Sequence, residues 1–383
     1  MNAFRKAAPR PGFLVGGFEC ASHAWHDGVR VDPLGVTRHD VMAAGDYRLI
    51  ARAGMRTVRE GLRWQRIEVE PGRYDWSSAI PMFEAIAEEG VAAIWDICHW
   101  GIPDGIDFFS DSFVARMADF GAAAVEEMTR RGAPPAGIVP VNEMNFWAWA
   151  GGLKGYFPPY LKDTHGDAVK RQLVRAYLAV AQRLRPLIGG APIITCEPLV
   201  VVHATPEADP FRVAAEQEGM YQAWDMLLGR LAPELGGHDG AFDWVGVNYY
   251  PHNQWEIGHE MQMLAEDDPR RIPLRELLVR VHDRYRMPLM ITETGDEEPG
   301  CAPWMAMVGR EAAAAREAGV DLRGICLYPV MDYPGWADRR HCPCGVIETD
   351  ADYRERRLRP HVLAALRGIA QEAGAVALTQ DAR

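Results

Sequence analysis

The chain has 383 residues, 48% of them hydrophobic, a formal net charge of −12 and a pI near 5.5. The acidic balance argues against nucleic acid or an anionic membrane as partner, and the length and apolar content suffice for a large buried core. No apolar stretch precedes Pro9 and Pro11 and no run is long enough to cross a bilayer, so neither a signal peptide nor a membrane span is expected. The seven cysteines are scattered and odd in number, which suits reduced thiols in a cytoplasm.

Short apolar, β-branched runs recur along the chain and predict strands at 13–19 (FLVGGFE), 56–62 (RTVREGL), 91–97 (VAAIWDI), 137–143 (GIVPVNE), 192–198 (PIITCEP), 243–249 (DWVGVNY), 288–294 (PLMITET) and 324–330 (GICLYPV). Between them lie stretches whose apolar residues recur at three and four, such as VMAAGDYRLIARAG, AIPMFEAIAEEG, FVARMADFGAAAVEEMTRRG and QLVRAYLAVAQRLRPLIG. These predict helices covered on one side, several stopping at glycine: Gly54, Gly90, Gly132 and Gly319. Eight strands alternating with helices predict a (β/α)8 barrel, an α/β fold in one domain over 1–383 with its core at about 13–370. The surplus length is expected in long loops at 144–165, 200–215 and 250–272, and the tail beyond Gly374 is expected to fray. A doubly wound open sheet is the alternative, but GGFECASH after the first strand lacks the dinucleotide fingerprint.

In such barrels the chemistry sits at the C-terminal ends of the strands. Those ends carry Glu19 and His23, then Arg59, Glu60 and Arg63, then His99 and Trp100, Asn142 and Glu143, Glu197, Asn248, Tyr249 and Tyr250, Glu293, and finally Tyr328, Asp332 and Trp336. Carboxylates, amides and aromatic rings around one mouth suit a sugar, whose C–H face stacks on rings while its hydroxyls take hydrogen bonds. Cleavage of a glycosidic bond needs two carboxyl groups flanking it. Glu143 and Glu293 are far apart in sequence and barrel closure would bring them across one pocket, but Glu19, Glu60 and Glu197 are comparably placed.

The motifs PVNEMN and LMITETG resemble the strand-four and strand-seven motifs of retaining glycosidases with (β/α)8 barrels. With VREGLRWQRIEVEPGRYDW, ICHWGIP, DWVGVNYY and LYPVMDYPGW they resemble the family 1 β-glycosidases in order, over roughly 13–336. The resemblance implies a retaining glycoside hydrolase that needs no cofactor, with Glu293 as nucleophile and Glu143 as general acid/base. It implies Asn142 at the sugar 2-hydroxyl, Arg59 beneath Glu293, Tyr250 hydrogen-bonded to Glu293, His99 toward the 3-hydroxyl and Trp336 stacked near the ring. Trp100, Asn248 and Tyr328 complete the expected wall, and Phe146 and Trp147 help shape it.

The chain departs from that family at the far edge of the sugar. ASHAWHDG carries no glutamine, so His23 or His26 is the expected replacement; Gly335 stands where the family carries a glutamate, and Tyr328 where it carries a tryptophan. The bond-handling residues are retained and the sugar-gripping ones are not, so the reaction type is better specified than the sugar. Two other functions remain open: a transglycosidase using the same covalent intermediate, and a sugar-binding barrel without turnover. The expected partner is a small glycoside or oligosaccharide, and homo-oligomerisation is left open. Cys342 and Cys344 beside His341 are too closely spaced for a structural zinc site and are expected to be loop thiols; Arg339 and Arg340 are expected to be solvated.

Overall fold

In the computed structural model, residues 9–257, 262–265 and 267–372 are described. All eight expected strands are present: β1 Leu14–Gly17, β2 Thr57–Gly61, β3 Ala92–Asp96, β4 Gly137–Val139, β5 Glu197–Pro198, β6 Val245–Asn248, β7 Leu289–Thr294 and β8 Leu322–Leu327. Helices alternate with them: α1 His39–Arg52, α2 Ile80–Glu89, α3 Asp111–Arg130, α4 Gly166–Leu184, α5 Gln222–Leu227, α6 Leu274–Tyr285, α7 Cys301–Glu317 and α8 Pro360–Glu372. The sheet is parallel in the order β4-β3-β2-β1-β8-β7-β6-β5. Its two ends meet through a parallel bridge from Ile138 to Ile193, where the Ile138 N–H donates to the Pro192 carbonyl at 2.9 Å and the Ile194 N–H to the Ile138 carbonyl at 2.8 Å. The result is the expected (β/α)8 barrel.

The fifth strand is less regular than its apolar run suggests. Only Glu197–Pro198 form a ladder, and Ile193 and Ile194 contribute single bridges. Gly54, Gly90, Gly132 and Gly319 follow their helices with φ of +90°, +63°, +79° and +95°; at Gly90, the C-cap of α2, that left-handed turn would strain any residue with a Cβ. The long loops are not bare. Met144–Gly152 and Pro210–Gly219 are helical, and Val201–Ala204, Gln254–Ile257 and Gln262–Met263 form a three-stranded sheet on the rim. The tail beyond Gly374 lies outside the described residues. No helix among the described residues is long and apolar enough to cross a membrane.

Side-chain alternation along the strands separates two cores. Val15, Ile94, Val139, Ile194, Cys196, Met290, Cys326 and Tyr328 cluster inside the barrel. Val58, Ala93, Trp95, Ile138, Val247, Ile291 and Ile325 belong to the larger cluster formed with the helices. The same alternation on β2 parts two charged neighbours: Arg59 joins Asp96 of β3, whereas Glu60 meets α1.

Glu60 anchors a fully buried polar cluster. Its Oε1 lies 2.9 Å from His39 Nε2 and accepts from the Tyr47 hydroxyl at 2.9 Å, while His39 Nδ1 lies 2.8 Å from Asp46, which pairs with Arg356. Burial opposes a charge on His39, but the Glu60 carboxylate and both hydrogen bonds outweigh it and raise its pKa to about 9. A raised pKa contributes stability that is complete below the unfolded value of about 6.5 and is lost as pH rises toward about 9. Unfolding free energy measured by urea titration is therefore expected to fall by an amount on the order of 3 kcal/mol across that window, and His39→Gln is expected to flatten the slope.

Candidate active site

The C-terminal ends of the strands surround a cavity of about 1010 Å³ lined by Glu143, Glu293, Glu19, His99, Trp100, Tyr250, Tyr328 and Trp336 among others. Beneath it lies Arg59, which has no exposed surface. Each of its five N–H donors has an acceptor. Nε and Nη2 hold Asp96 at 2.9 and 2.6 Å, Nη2 also reaches Asn142 Oδ1 at 2.8 Å, and Nη1 reaches Glu293 Oε1 at 2.7 Å and the Thr292 carbonyl at 3.0 Å. A planar fork suits this task because it meets four residues from three directions at once, where an ammonium would offer a point charge.

The arginine also settles the orientation of its neighbours. Arginine can only donate, so Asn142 must present Oδ1 to it and turn Nδ2 toward His99 Nε2, 2.9 Å away. That nitrogen accepts, and the proton of a neutral His99 sits on Nδ1, facing Asp96 Oδ2 at 2.9 Å. Both ring nitrogens are thereby engaged within the protein, while the ring itself lines the cavity, at the place the family resemblance assigned to the sugar 3-hydroxyl. Cys20, Asp96 and His99 bring ligand atoms within 4.8 Å of one another, but Asp96 is already committed to Arg59 on both oxygens. His341, Cys342 and Cys344 form no such cluster among the described residues.

The two glutamates occupy contrasting surroundings. Glu293, on β7, takes Arg59 on Oε1 and the Tyr250 hydroxyl on Oε2 at 2.9 Å. Among the described residues Glu143 meets no cation directly: its Oε1 accepts from Asn248 Nδ2 at 2.7 Å. Burial, reinforced by the negative charge of Glu293, pushes the Glu143 carboxyl well above the ordinary carboxylate range. Its backbone is left-handed at φ +45°, held by an N–H bond to the Cys196 carbonyl at 2.8 Å, just before helix Met144–Gly152 begins. Such strain in a residue with a Cβ persists where the surroundings dictate it, commonly at sites of function.

The structure separates the remaining carboxylates that sequence alone left equivalent. Glu60 faces α1, outside the cavity. Glu197 accepts the backbone N–H groups of Met144 and Asn145 at 2.8 and 2.9 Å, and so caps the helix that begins just after Glu143; burial raises its pKa to about 7. Glu19 does line the cavity: Oε1 accepts from the Ala21 N–H at 2.8 Å and the Tyr328 hydroxyl at 3.4 Å, and burial raises its pKa.

Other expected positions shift in role. His23 is fully buried, 3.8 Å from the Phe157 ring, with neither ring nitrogen partnered, and burial depresses its pKa to about 3. It stands behind Trp100 and Trp336 and does not line the cavity, because the loop turns its ring into an aromatic cluster. His26 packs near Tyr156. Trp100 lines the wall and donates to the Asn142 carbonyl at 3.0 Å, and Phe146 lies beside it. Trp147 is fully buried away from the cavity and donates to the Pro158 carbonyl. Where Gly335 replaces the family's glutamate, Asp338 Oδ1 lies 2.5 Å from the place a Cβ would take. Arg340 is exposed but paired with Glu297 and Asp338. Asp96 was the main omission; its place at the end of IWD, one strand from Arg59 and three residues before His99, was the available signal.

No family model matches the sequence, and no curated protein matches it. Solved structures do resemble the fold. A beta-glucosidase from Thermotoga maritima in complex with deoxynojirimycin superposes with a TM-score of 0.76 at 16% identity, over 96% of this chain and 99% of that one. A structure described as the family 1 beta-glucosidase of the same organism gives 0.76 at 17% identity, and its complex with glucoimidazole 0.76 at 18%, each with the same coverage. The barrel with its long loops is thus similar in fold to a family 1 beta-glucosidase along nearly its whole length.

Proposed function

We propose that the protein is a retaining glycoside hydrolase acting on β-glycosides. The observation that carries this is the unequal treatment of two glutamates facing one cavity: Glu293 is held by a buried guanidinium and a phenol, and Glu143 is buried beside an amide in surroundings that favour its protonated form. One carboxylate bound by a cation and one buried where its proton is favoured match the division of labour that double displacement requires.

In the first step Glu293 attacks the anomeric carbon while Glu143 gives its proton to the departing oxygen. The covalent glycosyl-enzyme forms, and the C–O bond to the leaving group breaks. Loss of charge on Glu293 then lowers the electrostatic penalty on ionised Glu143, which takes a proton from water as the water oxygen attacks the same carbon; the ester bond to Glu293 breaks, its electron pair returns to the carboxylate, and the sugar leaves with the water oxygen. Arg59 aims Glu293, and Tyr250 fixes its second oxygen. Asn142 has spent one Nδ2 hydrogen on His99, and the other is the donor assigned to the 2-hydroxyl. Tyr328, Trp100 and Trp336 form the ring-stacking wall. Glu19 stands at the sugar end, beside Tyr328, where the expected glutamine is missing. Asn248 tunes Glu143 from beneath.

A panel of aryl β-glycosides, followed by proton NMR of the released sugar, tests the assignment. Wild type is expected to release sugar with retained β configuration, and inversion would overturn double displacement. Glu293→Ala is expected to abolish turnover. Glu143→Ala is expected to lose about 10²–10⁴-fold on poor leaving groups and far less on dinitrophenyl leaving groups, which need no proton. Arg59→Met leaves two buried carboxylates without their cation, and is expected to cost about 3–5 kcal/mol of stability in urea unfolding as well as activity.

A further inference from the structure

Lys170, in the second turn of α4, is nine-tenths buried and lines the cavity, yet forms no ion pair among the described residues. Its ammonium has one partner, the neutral Gln222 side-chain oxygen at 2.6 Å. An ammonium carries three donors, and a buried cation is stable only when those donors and the charge are met. The nearby carboxylates do not meet them. Asp167 is bound to Arg171 at 2.7 Å, and Glu197 has turned its oxygens to the helix N-terminus of Met144–Gly152. Glu216 lines the same wall but is exposed, and so is Arg212, a second cation without an ion pair among the described residues. The positive end of α4 adds to the field around Lys170 instead of opposing it.

The position of this cation within the cavity has chemical meaning, resting on the assignment of Glu143 as the acid. The leaving oxygen lies at Glu143, so the aglycone extends along the residues that follow it. Helix Met144–Gly152 contributes Asn145, Ala148 and Trp149 to that side of the cavity, and Trp255 and Met220 add apolar surface. The helix packs on α4, which brings Lys170 to the same end. The sugar end is different: its one lining cation besides the buried machinery, Arg340, is already paired with Glu297 and Asp338.

We propose that the leaving-group end of the cavity is an anion subsite, in which Lys170 binds a carboxylate carried on an aromatic or otherwise apolar aglycone. The natural substrate is then a β-glycoside of an apolar acid, such as a phenolic acid, and not a neutral oligosaccharide. Arg212 at the cavity edge draws the anion inward, and Lys170 receives it where water is scarce.

Calorimetric binding of free 4-hydroxycinnamate and of its methyl ester to the intact protein tests the subsite without requiring turnover. Wild type is expected to bind the acid at least roughly tenfold more tightly than the ester, as one charge-assisted hydrogen bond allows. Lys170→Gln is expected to bring the two together, and Lys170→Arg to keep the preference. Equal binding of acid and ester by wild type overturns the proposal even if the variants fail to fold, and so does a preference that survives in folded Lys170→Gln. The corresponding 4-(2-carboxyethenyl)phenyl and 4-(2-methoxycarbonylethenyl)phenyl β-glycosides separate the two assignments. Cleavage of both, without any Lys170-dependent preference for the acid, sinks the anion subsite and leaves the glycosidase. Preferential binding of the acid with no cleavage of any glycoside sinks the glycosidase and leaves the subsite.

Discussion

The buried guanidinium of Arg59 is the constraint on which the mouth of this barrel depends. It comes from β2 and reaches Asp96 on β3, Asn142 beyond β4, and Thr292 and Glu293 on β7. A cation taken out of water is costly unless its charge and every donor are matched, and here all five donors are matched. The match leaves little freedom to the partners. Asn142 has one amide orientation, His99 one tautomer, and Glu293 one oxygen free of the arginine. The floor of the cavity is therefore set as a unit.

The cavity above that floor is graded in charge. Glu143 sits close enough to Glu293 to feel its charge, but has an amide where Glu293 has a guanidinium, and burial with the charge of Glu293 raises the pKa of Glu143. Further out, the two ends diverge. At the β8 end the charges cancel within the protein, since Arg340 is bound by Glu297 and Asp338. At the helix Met144–Gly152 end Lys170 forms no ion pair among the described residues, and Glu197 and Asp167 act on it only at a distance. Electrostatics in a water-poor cleft are stronger than at the surface, which is why the proposed subsite would tell apart ligands that differ by one carboxylate.

The rim segments that extend the cavity belong to the connections after β4, β5 and β6. They carry short helices and a small sheet within the long loops expected there. The register Gln254↔Val201 joins two of these connections, so that Val200 and Trp255, distant in sequence, line the same wall. Each piece is too short for its periodicity to stand out from loop sequence, and each becomes regular only by pairing with the other.

Local pattern was enough to determine the barrel. The eight apolar runs, the intervening stretches of three-and-four spacing and the glycine stops are properties of neighbouring residues, and sheet closure follows from giving each run a parallel partner. The pair Glu143 and Glu293, which faces one cavity and is proposed to flank the bond, was singled out in the sequence through motif resemblance more than through composition. What only the tertiary structure decided were relations across the barrel. The sequence held Glu19, Glu60 and Glu197 as equals of that pair; strand alternation turned Glu60 outward, a helix terminus claimed Glu197, and Glu19 alone of the three stayed in the cavity. His23 looked polar in sequence, yet its ring was drawn into an aromatic cluster. Asp96, Glu197 and Lys170 gained their meaning from partners held or missing several strands away. A carboxylate's or an ammonium's behaviour is set by the charges and dipoles within a few ångströms of it, and in a closed barrel most of those come from distant parts of the chain.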